Sequence, residues 1–149
     1  MDVSKMNFLV ADDDSAMLEI IGAALTTFGA ARVVKCPNGA AAAAALSDPQ
    51  QAFHCVVSDY SMAPVSGLDL LRAIRMGRYG HVPRELPFIM VTVSGKEQVV
   101  KAALALDVSA YVMKPVNQKS LNTALNRAAG RLLMVKPPED YAKVTIGAE

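Results

Sequence analysis

The chain has 149 residues, a length typical of one domain, and a formal net charge of +1, which gives no electrostatic basis for binding nucleic acid or an anionic membrane. Hydrophobic residues make up 52% of the sequence, which excludes disorder for the body of the chain. No apolar run approaches the ~20 residues that span a bilayer, and the N-terminus lacks the apolar core of a signal peptide. We therefore expect a cytoplasmic protein.

Short apolar runs alternate along the chain with segments of helical periodicity. Cys36 and Cys55 both fall in these strand-like stretches, where buried, reduced thiols are expected. The runs are short and continuous, as expected for strands covered on both faces, and span residues 8–11, 32–35, 55–58, 88–91 and 110–113.

A helix is predicted after each apolar run. Asp14 or Ser15 is expected to cap the first helix, Gly29 to end it, and Asn117 to cap the last helix. The three helices between them are predicted from residue 39, over residues 67–75 and over residues 96–106. The apolar face of the last helix is Leu121, Leu125, Ala128 and Leu132.

Five strand–helix units in strict alternation predict an α/β fold, a doubly wound parallel sheet with helices on both faces. Right-handed crossovers leave few topologies, and the flavodoxin-like (βα)5 order 2-1-3-4-5 is the commonest at this length. We predict this domain over residues 1–134. Residues 135–149, with Pro137 and Pro138, are predicted as a C-terminal tail, too short for an output domain.

Polar residues follow the predicted strands at the point where each strand ends. This carboxyl edge is where open α/β sheets bind ligands, and strands one and three are neighbours in the predicted order. The residues at this edge are Asp12, Asp13 and Asp14 after strand one, Asp59 after strand three, Thr92 after strand four and Lys114 after strand five.

The carboxylates of Asp12, Asp13 and Asp59 would meet in one small concavity and repel one another. A hard divalent cation relieves such repulsion, and carboxylates with water and backbone carbonyls suit Mg²⁺. Magnesium in turn implies a phosphate, and an aspartate can itself be the nucleophile that forms an aspartyl phosphate. Lys114 and Thr92 are then expected to contact the phosphoryl oxygens.

At this point the sequence resembles the receiver domains of two-component response regulators, with the pattern of the single-domain chemotaxis type. The resemblance runs from about Asn7 to Leu133. Its marks, in order, are Phe8-Leu9-Val10-Ala11-Asp12-Asp13-Asp14, Val56-Val57-Ser58-Asp59-Tyr60-Ser61-Met62, Gly67-Leu68, Met90-Val91-Thr92 and Tyr111-Val112-Met113-Lys114-Pro115.

The resemblance implies a role for each of these polar positions. Asp59 is implied to be the phosphoacceptor and Asp13 a direct magnesium ligand. Asp12 is implied to act largely through water, and the backbone carbonyl of Ser61 to complete the protein ligands.

The same resemblance implies a switch. Thr92 corresponds to the switch hydroxyl, Lys114 to the phosphate-binding lysine and Tyr111 to the aromatic switch residue. The Lys114–Pro115 bond is implied to be cis.

The function implied is a phosphorylation-controlled signalling module rather than an enzyme. Its phosphodonor would be a histidine kinase or histidine phosphotransfer protein. Its target protein would bind the fourth helix, fifth strand and last helix. A helix-turn-helix has no room after Met134, so contact with nucleic acid is not expected.

Three departures from the family pattern stand out. Val93 follows Thr92 where Ala or Gly is usual, so access to the phosphoryl group is expected to be tighter. Ala63 stands where proline is common, with Pro64 one place later. The connection over residues 77–86 is long and is expected to be solvated, with its arginines exposed.

Two other functions are compatible with the residues. The first is a receiver-like interaction module that does not need phosphate. Val93 and the altered loop after Asp59 are compatible with it, whereas the complete set of Asp13, Asp59, Thr92 and Lys114 argues against it. The second is a small aspartate-dependent phosphohydrolase of the haloacid dehalogenase type, which would start at Asp12 and Asp14. The hydrolase requires a second acidic pair late in the chain, for which only Glu139 and Asp140 are available.

Overall fold

A parallel sheet of five strands in the order β2-β1-β3-β4-β5 organises the computed structural model, which describes residues 2–130 and 133–146. This is the predicted topology. The strands are β1 (Asn7–Ala11), β2 (Arg32–Cys36), β3 (Cys55–Asp59), β4 (Phe88–Thr92) and β5 (Ala110–Met113).

The predicted helices alternate with these strands, and a short 3-10 helix precedes them at Val3–Lys5. Among the described residues no helix is long and apolar enough to cross a membrane. Leu132, predicted to extend the apolar face of the last helix, lies outside the described residues. The helices are α1 (Ser15–Thr27), α2 (Gly39–Ser47), α3 (Gly67–Arg75), α4 (Glu97–Ala105), α5 (Gln118–Gly130) and α6 (Pro138–Ala142).

The helix ends follow local chemistry that the sequence showed. Asp14 is the N-cap of α1, and its carboxylate accepts a hydrogen bond of 2.9 Å from the backbone N–H of Ala16. Gly29 ends that helix with a φ of 93°, a conformation in which a side chain would be strained. Asn117 caps α5 through a 2.8 Å bond from the backbone N–H of Ser120 to its side-chain oxygen.

The core has two layers, one on each face of the sheet. Every residue of β3 and β4 is buried, which is why these strands read as continuous apolar runs rather than alternating ones. Helices α1 and α5 contribute to one layer, whereas α2, α3 and α4 contribute to the other.

The long connection over residues 77–86 is held by a buried arginine at the end of α3. The side chain of Arg75 is fully buried, and its guanidinium donates to the carbonyls of Arg84 and Leu86 at 2.6 and 2.8 Å. Arg84 donates back to the Arg75 carbonyl at 2.6 Å. Arg78 is exposed as expected, but Arg84 is half-buried, so the expectation of an exposed side chain there is wrong. The connection over residues 77–86 has a defined conformation, because its backbone carbonyls accept hydrogen bonds from the buried guanidinium of Arg75.

The C-terminal tail contains a helix that no pattern in the sequence indicated. Residues 138–142 form α6, and Tyr141 on this helix is fully buried. Its hydroxyl donates a 2.7 Å hydrogen bond to the carboxylate of Asp107, in the turn between α4 and β5. A five-residue helix is too short for a periodic pattern to show, so its apolar anchor could not be distinguished from an isolated tyrosine.

The two thiols are expected to be unreactive in the folded protein. Burial raises the pKa of Cys55 to about 12 and also raises the pKa of Cys36. At pH 8 we expect Cys55 to react with iodoacetamide at least about a thousandfold more slowly in the native protein than in urea, because the thiolate is the reactive species. The Cys36→Ser variant isolates the Cys55 signal, and equal rates in the two solvents would contradict the burial described here.

Candidate functional site

Three carboxylates meet at the carboxyl edge of the sheet, as the sequence predicted. Asp12 and Asp13 follow β1, and Asp59 is the last residue of β3, which pairs directly with β1. Each of these side chains offers a carboxylate oxygen to one cluster, within which the oxygens lie no more than 4.8 Å apart. Asp12 and Asp59 are buried, whereas Asp13 is exposed. The cluster therefore has two buried carboxylates behind one that faces solvent.

Lys114 brings a single ammonium into this cluster. Its Nζ lies 2.9 Å from Oδ2 of Asp12 and 3.3 Å from Oδ2 of Asp59. The backbone N–H of Lys114 donates to the carbonyl of Thr92 at 2.9 Å, which continues the pairing of β4 and β5 one residue beyond β5. The Lys114–Pro115 bond is cis, as the resemblance implied.

The electrostatic balance of the cluster is negative. Burial raises the pKa of Asp59, the charge of Lys114 lowers it and the charge of Asp12 raises it, and the net direction is upward. Burial lowers the pKa of Lys114, but its contacts with Asp12 and Asp59 outweigh burial and hold that pKa above its ordinary value. Lys114 is therefore charged at neutral pH, and one ammonium faces three carboxylates.

The donor atoms of the cluster fit a hard divalent cation. Oδ2 of Asp12 is buried and pairs with the Lys114 ammonium at 2.9 Å. The neighbouring ligand atoms are carboxylate oxygens, which suit Mg²⁺ rather than a soft metal. Ser61 lies beside Asp13 at the rim, and its backbone N–H donates to the Asp59 carboxylate.

Thr92 and Tyr111 both hold the loop that follows β4. Thr92 is fully buried at the end of its strand, and its hydroxyl oxygen accepts a 3.1 Å hydrogen bond from the backbone N–H of Ser94. Tyr111, half-buried on β5, donates its hydroxyl to the carbonyl of Ser94 at 2.7 Å. Burial raises the pKa of Tyr111, and the charge of Asp59 raises it further. The two predicted switch residues thus contact the same loop residue, a link that the sequence did not show.

Two of the three departures from the family pattern, Val93 and the loop with Ala63 and Pro64, lie around the mouth of the site. The side chain of Val93 is 71% exposed and lines a depression with Ser61 and Thr92, so it stands at the entrance rather than in the cluster. The Ala63–Pro64 bond in the loop after Asp59 is cis.

Close packing against the backbone of Asp59 requires a glycine at position 67. A Cβ on Gly67 would lie 2.3 Å from the backbone oxygen of Asp59, so a side chain there would push against the strand end that carries the carboxylate. Arg72 and Ile146 also line the depression that contains Asp13, although no pattern in the sequence connected them with the site.

The acidic pair that a hydrolase would need is not in the site. Glu139 and Asp140 lie exposed on α6, and within the described residues the acidic cluster consists of Asp12, Asp13 and Asp59. The hydrolase alternative is therefore left without its second acidic pair.

Comparisons with known proteins agree with this geometry. Residues 8–126 match the response regulator receiver domain family. The chain is 33% identical over 129 residues to the chemotaxis protein CheY of Pseudomonas aeruginosa, covering 85% of this chain and 98% of that protein. It is 32% identical over 126 residues to the chemotaxis protein CheY1 of Helicobacter pylori, covering 84% and 98%.

Solved structures show the same fold. The response regulator receiver domain protein of Clostridium thermocellum is 26% identical, with a TM-score of 0.67, and the match covers 83% of this chain and 93% of that one. The family consists of signalling proteins rather than enzymes, and its CheY-like members interact with kinases and downstream targets. From the matched sequence and the shared fold, the chain belongs to the response regulator receiver domain family, with CheY chemotaxis proteins among its relatives.

Proposed function

We propose that this protein is a cytoplasmic response regulator that accepts a phosphoryl group on Asp59 from a phosphohistidine. The donor is the histidine of a kinase or of a phosphotransfer protein. The observation that carries the proposal is the position of the Asp59 carboxylate, within a cluster of acids and 3.3 Å from the Lys114 ammonium. This arrangement combines a nucleophilic oxygen with a cation for the incoming group.

Asp13 and Asp59 would hold the proposed magnesium ion directly, Asp12 would act largely through water, and the backbone carbonyl of Ser61 would complete the protein ligands. The donor set supports this assignment, because three carboxylates lie together and one ammonium pairs with only two of them. When bound, Mg²⁺ supplies positive charge that offsets the carboxylates and the phosphoryl oxygens.

The side chains carry out the transfer by position and charge. A carboxylate oxygen of Asp59 forms a bond to phosphorus as the bond between phosphorus and the donor's imidazole nitrogen breaks, and the leaving imidazole keeps that electron pair. The Lys114 ammonium and the Thr92 hydroxyl contact the phosphoryl oxygens. Lys114 suits this role because its pKa is held above its ordinary value, so it stays charged throughout the physiological range.

Phosphorylation then acts as a switch on the loop after β4. The modification adds roughly −1.5 to −2 charge and new acceptor oxygens beside Thr92 and Lys114. Thr92 and Tyr111 both hydrogen-bond the backbone of Ser94. When the Thr92 hydroxyl turns to a phosphoryl oxygen, its hydrogen bond with Ser94 weakens, and the position of the residue that Tyr111 contacts changes. The target protein binds α4, β5 and α5, where Leu104 and Met113 are 58% and 47% exposed.

The proposal is tested by weighing the intact protein after incubation with Mg²⁺ and acetyl phosphate. We expect the parent to gain one phosphoryl group and Asp59→Asn to gain none, and removal of Mg²⁺ should abolish the gain. Asp14→Asn is the matched control, because asparagine also caps helices and Asp14 is not one of the clustered carboxylates. A parent that binds Mg²⁺ but gains no mass would instead support the phosphate-independent module.

Removing the Lys114 ammonium should separate metal binding from phosphoryl transfer. In Lys114→Met the rate of labelling by acetyl phosphate should fall at least about a hundredfold, the scale on which one lost electrostatic contact slows a reaction. Mg²⁺ affinity, measured by calorimetric titration, should stay the same or rise, because the ammonium competes for the carboxylates of Asp12 and Asp59. Lys119→Met, at an exposed lysine on α5, is the control. Labelling at the parent's rate would rule out the role given to Lys114.

A further inference from the structure

The C-terminal residues 135–146, called the strap below, are anchored near their middle by Tyr141. This side chain is fully buried, and its hydroxyl donates to Asp107 at 2.7 Å and accepts from the backbone N–H of Lys136 at 3.0 Å. The Lys136 ammonium also lies 5.5 Å from the centre of the Tyr141 ring. An aromatic side chain with both its ring and its hydroxyl engaged fixes the strap to the turn between α4 and β5.

The C-terminal end of the strap reaches the mouth of the acidic site. Arg72 of α3 donates a hydrogen bond to the carbonyl of Val144, and the side chains of Val144 and Ile146 pack against the core layer. Ile146 lines a depression of about 440 Å³ together with Asp13 and Ser61. The strap therefore spans the distance between the α4–β5 turn and the rim of the phosphoacceptor site.

Along this path the strap bridges α3 and the C-terminal end of α4, which are distant from each other in sequence. It contacts α3 through Arg72, the last residue of α4 through a 3.5 Å contact of the Lys136 ammonium with the Ala105 carbonyl, and the turn through Asp107. A groove of about 360 Å³ between α4 and the strap is lined by residues of both, Val99 and Val144 among them. Any shift of α4 relative to α3 must break or remake these contacts.

The arrangement that the strap holds is the one in which Lys114 is paired with Asp12 and Asp59. A phosphoryl group on Asp59 would draw Lys114 and Thr92 toward new oxygens and would disturb the loop at Ser94, which leads into α4. Contacts made in only one of two arrangements favour that arrangement by their own free energy.

We propose that the strap is an autoinhibitory contact, so that its docking and the phosphorylation of Asp59 oppose each other. This inference rests on the proposed function, since it assumes that Asp59 accepts the phosphoryl group. Because linkage is reciprocal, a weaker strap makes Asp59 easier to phosphorylate, and phosphorylation loosens the strap.

The test uses the full chain and the variant Tyr141→Phe, which keeps the buried ring and removes the hydrogen bonds of the hydroxyl to Asp107 and Lys136. We expect acetyl phosphate to label this variant about threefold to tenfold faster than the parent, the scale set by one lost hydrogen bond. Lys143→Ala, an exposed position of the strap, should be labelled at the parent's rate. Amide hydrogen exchange over residues 136–146 of the parent should become faster after labelling.

The outcomes separate the two proposals. If the parent gains no phosphoryl group, both the proposed function and the strap inference fail. If the parent is labelled but Tyr141→Phe is labelled no faster, and strap exchange is unchanged by labelling, the strap inference alone is overturned. Ile146→Ser, at a partly buried residue at the far end of the strap, repeats the test should Tyr141→Phe fail to fold, and equal or slower labelling would likewise overturn it.

Discussion

The contact of one ammonium with two buried carboxylates is the interaction on which the site depends. The Lys114 ammonium lies 2.9 Å from the carboxylate of Asp12 and 3.3 Å from that of Asp59. These two ion pairs of Lys114 do not include Asp13, the third carboxylate of the cluster. Buried carboxylates without compensating charge are strongly unfavourable, yet one ammonium cannot balance three acids. The cluster therefore forms with an excess of negative charge, which is the condition under which a further cation would be attracted.

The sheet enforces this unfavourable arrangement. Strands β1 and β3 are neighbours, and Ala11 lies opposite Ser58. The pairing therefore holds the next residues, Asp12 and Asp59, side by side at the edge of the sheet. The buried faces of the strands supply the free energy that holds them there, because β3 and β4 are covered completely by helices on both sides. Stability in the apolar layers thus maintains the proximity of like charges at the edge of the sheet.

The sequence predicted the sheet and its acidic edge because both follow from local patterns. Strands buried on both faces are continuous apolar runs, and an acid directly after such a run must lie at the carboxyl edge. The contact of Tyr111 with the Ser94 carbonyl could not be predicted, since it joins residues of two elements through a loop conformation. The burial of Arg75 could not be predicted because an arginine at a helix end is ordinarily exposed. The carbonyls of Arg84 and Asp107, to which its guanidinium donates, belong to other parts of the chain. Tyr141 gave no signal because a single aromatic residue in a proline-bearing segment has no periodicity.

Charge repulsion within the cluster is tested most directly by thermal unfolding of Asp13→Asn with and without Mg²⁺. Without Mg²⁺ the variant should unfold at a higher temperature than the parent, because one of three mutually repelling carboxylates has been removed. With Mg²⁺ in excess the order should reverse, since the ion stabilises the parent by mass action, by about 2.7 kcal/mol at a hundred times its dissociation constant, and binds the variant more weakly. A variant that is less stable than the parent without Mg²⁺, or a parent that Mg²⁺ does not stabilise, would contradict the account.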